Sequence, residues 1–223
     1  GESVEKPDLY HQVNVDGTRN LLDEMHKSCV KKLVFSSSAA TYGEPEQVPI
    51  LESAPTKPTN PYGATKLAID QMITAESAAR GIAAASLRYF NVAGALKSKR
   101  GWLAERHNPE THLIPNVLRS TAANPVKIFG SDWPTKDGTC IRDYVHVSDL
   151  VDAHLAALAA LEIGQCKAWN VGLGCGHSVR DVVESCRRVS ARRIDVQFAP
   201  RRAGVPPIPQ PRQNFYCADD PTG

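Results

Sequence analysis

Leu33-Val34-Phe35-Ser36-Ser37-Ser38, followed after a proline-bearing connection by Asn60-Pro61-Tyr62-Gly63-Ala64-Thr65-Lys66, decides how this chain folds. Leu33 to Phe35 is a short apolar run between lysines and serines, the pattern of a strand buried on both faces. Pro45, Pro49, Pro55 and Pro58 keep the connection irregular. Asn60 offers a capping oxygen and Pro61 suits a first helical turn, so a helix starts there. Leu67, Ile69, Met72 and Ile73 carry it to about Arg80, and Gly81 stops it. Ala84 to Phe90 reads as the next strand. Strand, helix and strand in this order predict parallel pairing through a right-handed crossover. Ligands of open α/β sheets bind beyond the carboxyl ends of the strands, so residues 36–42 and 91–94 are the candidate site loops.

Outward from this unit the patterns continue. Val15, Leu21, Leu22 and Met25 mark one side of a helix from about Val13 to Cys29. Residues 96–111 read as a polar, basic loop. A helix follows over His112–Ala123 and a strand over Val126–Phe129. Ser148 is placed to cap a helix running through Leu150, Leu155, Leu158 and Leu161. Ala168–Val171 is a strand, Ser178-x-x-Asp181 a capping box for a helix to about Val189, and Asp195–Phe198 a last strand. After Gly204, five prolines break all periodicity and predict an irregular tail.

Composition narrows the function classes. In 223 residues, 26 Lys+Arg against 24 Asp+Glu leave a net charge of +2, which supplies no general electrostatic case for nucleic acid or an anionic membrane. No apolar run reaches the roughly 20 residues of a membrane span, and the start lacks a signal peptide. The six cysteines include no Cys-x-x-Cys pair and read as reduced thiols of a cytoplasmic protein. His107 and His112 stand five apart without evident company, so no metal site is expected. The chain lacks an initiator Met and opens in the lead-in to a helix, which reads as part of a longer protein.

Tyr62 and Lys66, at i and i+4, share a helix face. A nearby ammonium and the helix N-terminus favour a phenolate, which makes Tyr62 a usable acid–base group for an alcohol or sugar hydroxyl. Alone, the pair reads first as an exposed helix pair, since Tyr-x-x-x-Lys occurs by chance in many chains. The serine run ending a buried strand about 25 residues earlier adds a hydroxyl able to share the same proton.

A serine followed by Tyr-x-x-x-Lys on these elements resembles the extended short-chain dehydrogenase/reductase superfamily and, within it, the UDP-glucose 4-epimerase family. The matching stretches include Asn14-Val15-Asp16-Gly17-Thr18, Phe35-Ser36-Ser37-Ser38-Ala39 with Tyr42-Gly43, Asn60-Pro61-Tyr62-Gly63 and Leu87-Arg88-Tyr89-Phe90-Asn91. Asp137-Gly138-Thr139, Arg142-Asp143-Tyr144-Val145-His146-Val147 and Ala199-Pro200-Arg201-Arg202 continue them. The resemblance covers roughly residues 1–204. It implies an α/β fold: a partial Rossmann-like parallel sheet with helices on both faces and a smaller α/β substrate domain. It divides the chain into residues 1–91, the C-terminal part of an NAD-binding domain; 92–204, a UDP-sugar-binding region with some elements packing back; and the tail 205–223.

The resemblance also implies roles. Tyr62 is the catalytic acid–base, Lys66 its partner and a ribose contact, and Ser38 bonds the sugar hydroxyl. Asn14 and Phe90, with Ser38, Tyr62 and Lys66, contact NAD. Asn91, His112, Phe129, Arg142 and Arg202 line the UDP-sugar site, the arginines as bidentate partners of a diphosphate. The implied reaction is UDP-glucose/UDP-galactose interconversion through a 4-keto sugar with NAD, in a protein that is a possible homodimer through the helices at 13–29 and 61–80. Another nucleotide-sugar epimerase/dehydratase is the alternative, weakened because Ser38-Ala39-Ala40 holds no carboxylate for elimination. A third reading is an inactive domain acting only in association. It is favoured by the lack of the superfamily's Gly-x-x-Gly-x-x-Gly loop, whose absence argues against independent NAD binding. Gly172-Leu173-Gly174-Cys175-Gly176 misses the phosphate-loop spacing, since position 177 is His, and reads as a structural turn.

Overall fold

The computed structural model describes residues 1–201. In chain order its elements are α1 (Glu2–Glu5), α2 (Pro7–Tyr10), a π-helical stretch (His11–Asp16), α3 (Gly17–Lys27), β1 (Lys32–Ser38), a 3-10 turn (Ala39–Thr41), α4 (Pro61–Arg80) and β2 (Ala83–Tyr89). They continue with β3 (Asn91–Ala93), β4 (Leu96–Ser98), β5 (Gly101–Leu103), α5 (Leu113–Arg119), β6 (Val126–Phe129) and β7 (Ile141–His146). The last are α6 (Val147–Ala159), β8 (Cys166–Val171), β9 (Gly176–Ser178), α7 (Val179–Ser190) and β10 (Val196–Ala199).

The α4 boundaries match the sequence reading. Asn60 Oδ1 accepts the Gly63 N–H at 2.8 Å, and Gly81 adopts φ +67, the left-handed conformation open to glycine. β1 runs past its apolar residues through all three serines, because its parallel ladder with β2 extends from Lys32↔Ala83 to Ser38↔Tyr89. β8 pairs with the far side of β2, also parallel, giving the order β1-β2-β8.

Strand alternation divides the core between the sheet's two faces. Ala83, Ala85 and Leu87 pack with Leu150, Ala153 and Ala157 of α6. Ala84, on the opposite face, joins Ile69 and Ile73 of α4 and Val15, Leu22 and Met25 from the N-terminal helices. Helices therefore cover both faces, as the α/β reading requires. Burying a side chain such as Ile73 contributes about 1.5–3 kcal/mol. Leu21 leaves the predicted stripe and is 50% exposed. Val15, Leu22 and Met25 are spaced by seven and three residues, whereas Leu21 is rotated by about 100° from Leu22.

A smaller α/β layer follows. β6 and β10 pair in parallel, and Val126 and Ile128 pack with Val117 of α5, Val183 of α7 and Ile194. The capping box is present: Asp181 N–H donates to Ser178 Oγ at 2.9 Å, and Ser178 N–H donates to Asp181 Oδ2 at 3.1 Å. Three expectations change. Residues 96–111 are not all loop, because β4 and β5 form an antiparallel hairpin turned at Lys99 and Arg100, with Gly101 at φ +113 opening β5. The helix predicted to Ala123 ends at Arg119, where Ser120 becomes extended and Thr121 pairs with Asn124. The cap of α6 is His146 rather than Ser148: the Ser148 N–H donates to His146 Nδ1.

A buried polar network ties the proline-bearing connection to the sheet. Arg88 Nε donates to Asp70 Oδ2 at 3.0 Å, and its Nη1 donates to the Tyr42 hydroxyl at 3.0 Å. Tyr42 donates onward to Asn170 Oδ1 at 2.7 Å, and Asn170 Nδ2 donates to the Ile50 carbonyl at 3.0 Å. Each buried donor thus finds an acceptor on a different element. Among the described residues Cys29, Cys140, Cys166, Cys175 and Cys186 are free thiols, and no helix is long and apolar enough to cross a membrane. The predicted tail and Cys217 lie outside the described residues.

Candidate active site

The register Ser38↔Tyr89 puts the carboxyl ends of β1 and β2 side by side, the edge the sequence reading selects. Ser38 caps the 3-10 turn, its Oγ accepting the Ala40 N–H at 3.2 Å. α4 begins against this turn. A Cβ on Gly63 would stand 2.4 Å from the Ala40 carbonyl oxygen, so only glycine lets the helix approach closely enough to set Tyr62 beside Ser38. Both line a cavity of about 760 Å³ with Tyr89, Phe90, Asn91 and His112.

Lys66 reaches back from α4 to donate to the Ser36 carbonyl at 3.0 Å. Its ammonium lies 4.9 Å from the Phe35 ring centroid and 5.6 Å from that of Tyr62. Burial pushes the Lys66 pKa down, with Asp70 opposing. The expected lowering of Tyr62 by Lys66 is not seen. Burial holds the Tyr62 phenol above its usual range, Tyr89 adds to this, and the lowering contribution is that of Ser38. The ammonium rests on the ring and on a carbonyl rather than at the phenolic oxygen.

Asn91 and His112 also line a second cavity, of about 530 Å³, with Phe129, Trp133, Arg142 and Tyr144. The structure therefore brings Ser38, Tyr62, Phe90, Asn91 and His112 together and places Phe129 and Arg142 next door. Asn14 lines neither cavity; its Nδ2 donates to Thr65 Oγ1 at 3.0 Å, fastening the π-helical stretch to α4 one residue from Lys66. Arg202 lies outside the described residues. Arg201 stacks on Trp133 at 4.1 Å and pairs with Asp132 at 2.8 Å, so it is not a simply solvated cation.

Asp143 explains the glycine-rich turn. Its buried carboxylate accepts the N–H groups of Leu173 and Gly174 at 2.9 and 2.7 Å. An internal carboxylate occupies the amides that a phosphate would need. His154 is half-buried. Its Nδ1 faces the Leu150 carbonyl at 2.8 Å and therefore carries the proton in the neutral ring. Nε2 then accepts from the Ser36 hydroxyl at 3.2 Å. Sequence reading also missed Glu105 and Glu110, which provide the company that His107 and His112 were thought to lack. The repeated Glu-x-His, at Glu105 and His107 and again at Glu110 and His112, was the available signal.

Burial raises the pKa of Tyr42, Tyr62 and Tyr144, the last to about 12. Folded tyrosines keep their protons at pH values where unfolded ones lose them. Their stabilising contribution is therefore complete below about pH 10 and declines as pH rises toward the folded values, by at most about 1.4 kcal/mol per pH unit for each group. Burial also raises the thiols of Cys140, Cys166 and Cys186, so urea unfolding between pH 8 and 11 should show the midpoint falling from about pH 8.5 and more steeply above about pH 9.5–10.

Ser38, Tyr62 and Lys66 fit the nicotinamide–ribose end of NAD, because the Lys66 ammonium has three donors and uses one on Ser36. No Gly-x-x-Gly-x-x-Gly turn stands ready for a pyrophosphate in the 223 residues.

Residues 1–172 match the model of the NAD dependent epimerase/dehydratase family. The chain is 54% identical over 208 residues to a UDP-glucose 4-epimerase of Corynebacterium glutamicum, covering 92% of this chain and 62% of that protein. A Streptomyces lividans UDP-glucose 4-epimerase is 53% identical over 210 residues, covering 93% and 62%. The chain thus spans about three fifths of the length of these curated relatives. The structure of Brucella ovis UDP-glucose 4-epimerase in complex with NAD superposes with TM-score 0.87 at 43% identity, covering 95% of this chain and 66% of that one. The Bifidobacterium longum UDP-glucose 4-epimerase in complex with NAD+ and UDP gives TM-score 0.86 at 35% identity, covering 95% and 64%. With its parallel sheet, its helices on both faces and a serine and tyrosine at the shared strand ends, the chain belongs to the NAD dependent epimerase/dehydratase family.

Proposed function

We propose that this chain carries the acid–base and UDP-sugar side of a UDP-glucose 4-epimerase that interconverts UDP-glucose and UDP-galactose. The observation behind this reading is that the cavity lined by Ser38 and Tyr62 shares Asn91 and His112 with the cavity lined by Arg142. The sugar lies in the first cavity. The diphosphate crosses Asn91 and His112 toward Arg142, whose guanidinium suits phosphate oxygens. Residues 1–91 form the cofactor side and 92–204 the substrate side in this reading.

Bound NAD would supply the reversible hydride acceptor for C4. The protein's part is proton transfer and positioning. Tyr62 takes the proton of the sugar 4-hydroxyl and returns it after the keto sugar has presented its other face. Ser38 bonds the same oxygen and favours the phenolate. Lys66 orients the ring and holds the ribose, and Asn14 secures α4 through Thr65. Elimination chemistry is disfavoured because positions 38–40 hold no carboxylate. The free thiols support a cytoplasmic setting. The exposed Leu9, Val13 and Leu21 support a homodimer through the N-terminal helices and α4.

The test is conversion of UDP-galactose by the protein carrying this chain, with NAD supplied. The expected product is UDP-glucose with no net NADH. A 4-keto-6-deoxy product would overturn the reading. So would absence of turnover in a protein that calorimetry shows to bind both NAD and UDP-galactose.

A further inference from the structure

We propose that Glu105, His107, Glu110 and His112, in the loop between β5 and α5, form a binding site for a divalent transition-metal ion of the zinc type. Their ligand atoms all lie within 4.8 Å of one another. His107 Nδ1 stands 3.3 Å from Glu105 Oε2 and 4.0 Å from Glu110 Oε1. His112 Nδ1 stands 2.6 and 3.6 Å from the same two oxygens. Ligands about 2.0–2.1 Å from a tetrahedral zinc ion are separated from one another by roughly 3.3 Å. The four observed separations bracket that edge, so modest side-chain adjustment closes the tetrahedron.

The surroundings orient the ligands. Glu110 has a side chain only 5% exposed. Its Oε1 accepts the N–H groups of Thr111 and His112 at 3.0 and 3.1 Å, and Arg119 approaches Oε2 at 3.3 Å. This carboxylate is held in place before any ion arrives, as ligand carboxylates commonly are. Two imidazole nitrogens with two carboxylate oxygens select a borderline ion such as Zn2+. Mg2+ and Ca2+ prefer larger, all-oxygen shells.

The position gives the ion a consequence. Glu105, His107 and His112 line the cavity that holds Tyr62, and His112 also lines the cavity of Arg142. An ion there ties both ends of the loop together and stiffens the wall shared by the two cavities. Coordination through Nδ1 leaves the His112 proton on Nε2, where it can only donate. The site stands on its own geometry and holds whether or not the proposed reaction does.

The test uses the full 223-residue chain, stripped with chelator and titrated with Zn2+ by calorimetry and with Co2+ by visible absorption. The expected result is saturable 1:1 binding, a tetrahedral Co2+ spectrum and a raised thermal midpoint, with no saturation by Mg2+. Each of the His107→Ala and Glu105→Gln variants should bind at least 10-fold more weakly. Unfolding of both without metal should match the parent, since both changes lie on a loop. Absence of saturable binding in the parent overturns the proposal. Undiminished binding in both variants does the same, since it would place the ion on other histidines.

Discussion

Under the proposed reaction, Tyr62→Phe lowers the turnover of UDP-galactose by about 10²–10⁴-fold, the range expected when a positioned acid–base group is removed. The substitution deletes one hydroxyl and keeps the ring. The edge-on contact with Tyr10, at 6.4 Å between centroids, survives, as does the seat of Lys66 on the ring at 5.6 Å. Binding of the UDP-sugar should change little, because the diphosphate side near Arg142 is untouched. Steady-state kinetics with the C4-inverted product as readout decides the matter. A loss confined to KM, with turnover preserved, would remove Tyr62 from proton transfer.

Arg88→Ala destabilises the protein by about 3–5 kcal/mol, the usual result of leaving one member of a buried ion pair behind. The Arg88 and Asp70 side chains are only 10% and 7% exposed, so water does not replace the lost partner. Tyr42 also loses its donor, and through Asn170 the connection around Ile50 loosens from the sheet. For a chain of this size the midpoint should fall by roughly 6–20 °C, as differential scanning calorimetry would show. In Arg88→Met with Asp70→Leu, which removes both charges and keeps apolar volume, much of that loss should return. A fall of under 1 kcal/mol in Arg88→Ala, the range of an exposed pair, would mean that the network contributes little.

Arg88 shows where motif reading and architecture part. Leu87-Arg88-Tyr89-Phe90-Asn91 contributes Phe90 and Asn91 to the cavity, while Arg88 anchors the fold. Asp137-Gly138-Thr139 is likewise structural. The Asp137 carboxylate accepts from the Thr139 N–H and hydroxyl, and from Ser178 at the start of α7. Asp143 serves the turn at Leu173 and Gly174. These partners lie about 30 to 40 residues away in sequence, and a motif carries no record of which distant amide its carboxylate will meet.

The sequence by itself determined the elements whose causes are local. Asn60, Pro61 and Gly81 set the ends of α4, Ser178 and Asp181 set the start of α7, and the short apolar runs set β1, β2, β6, β8 and β10. It also placed residues 36–42 and 91–94 at one strand edge, because parallel strands joined by a right-handed crossover share it, and the family resemblance set Tyr62 beside Ser38. Tertiary structure alone decided the rest. The Lys66 ammonium went to a carbonyl and a ring face rather than to the phenolic oxygen, so burial dominates the Tyr62 pKa. Asn14 became a fastening for α4, and the loop at 104–112 folded so that two glutamates meet two histidines. Hydrogen bonds and desolvation depend on atomic positions to within a few tenths of an ångström, and those positions exist only after the distant segments have packed.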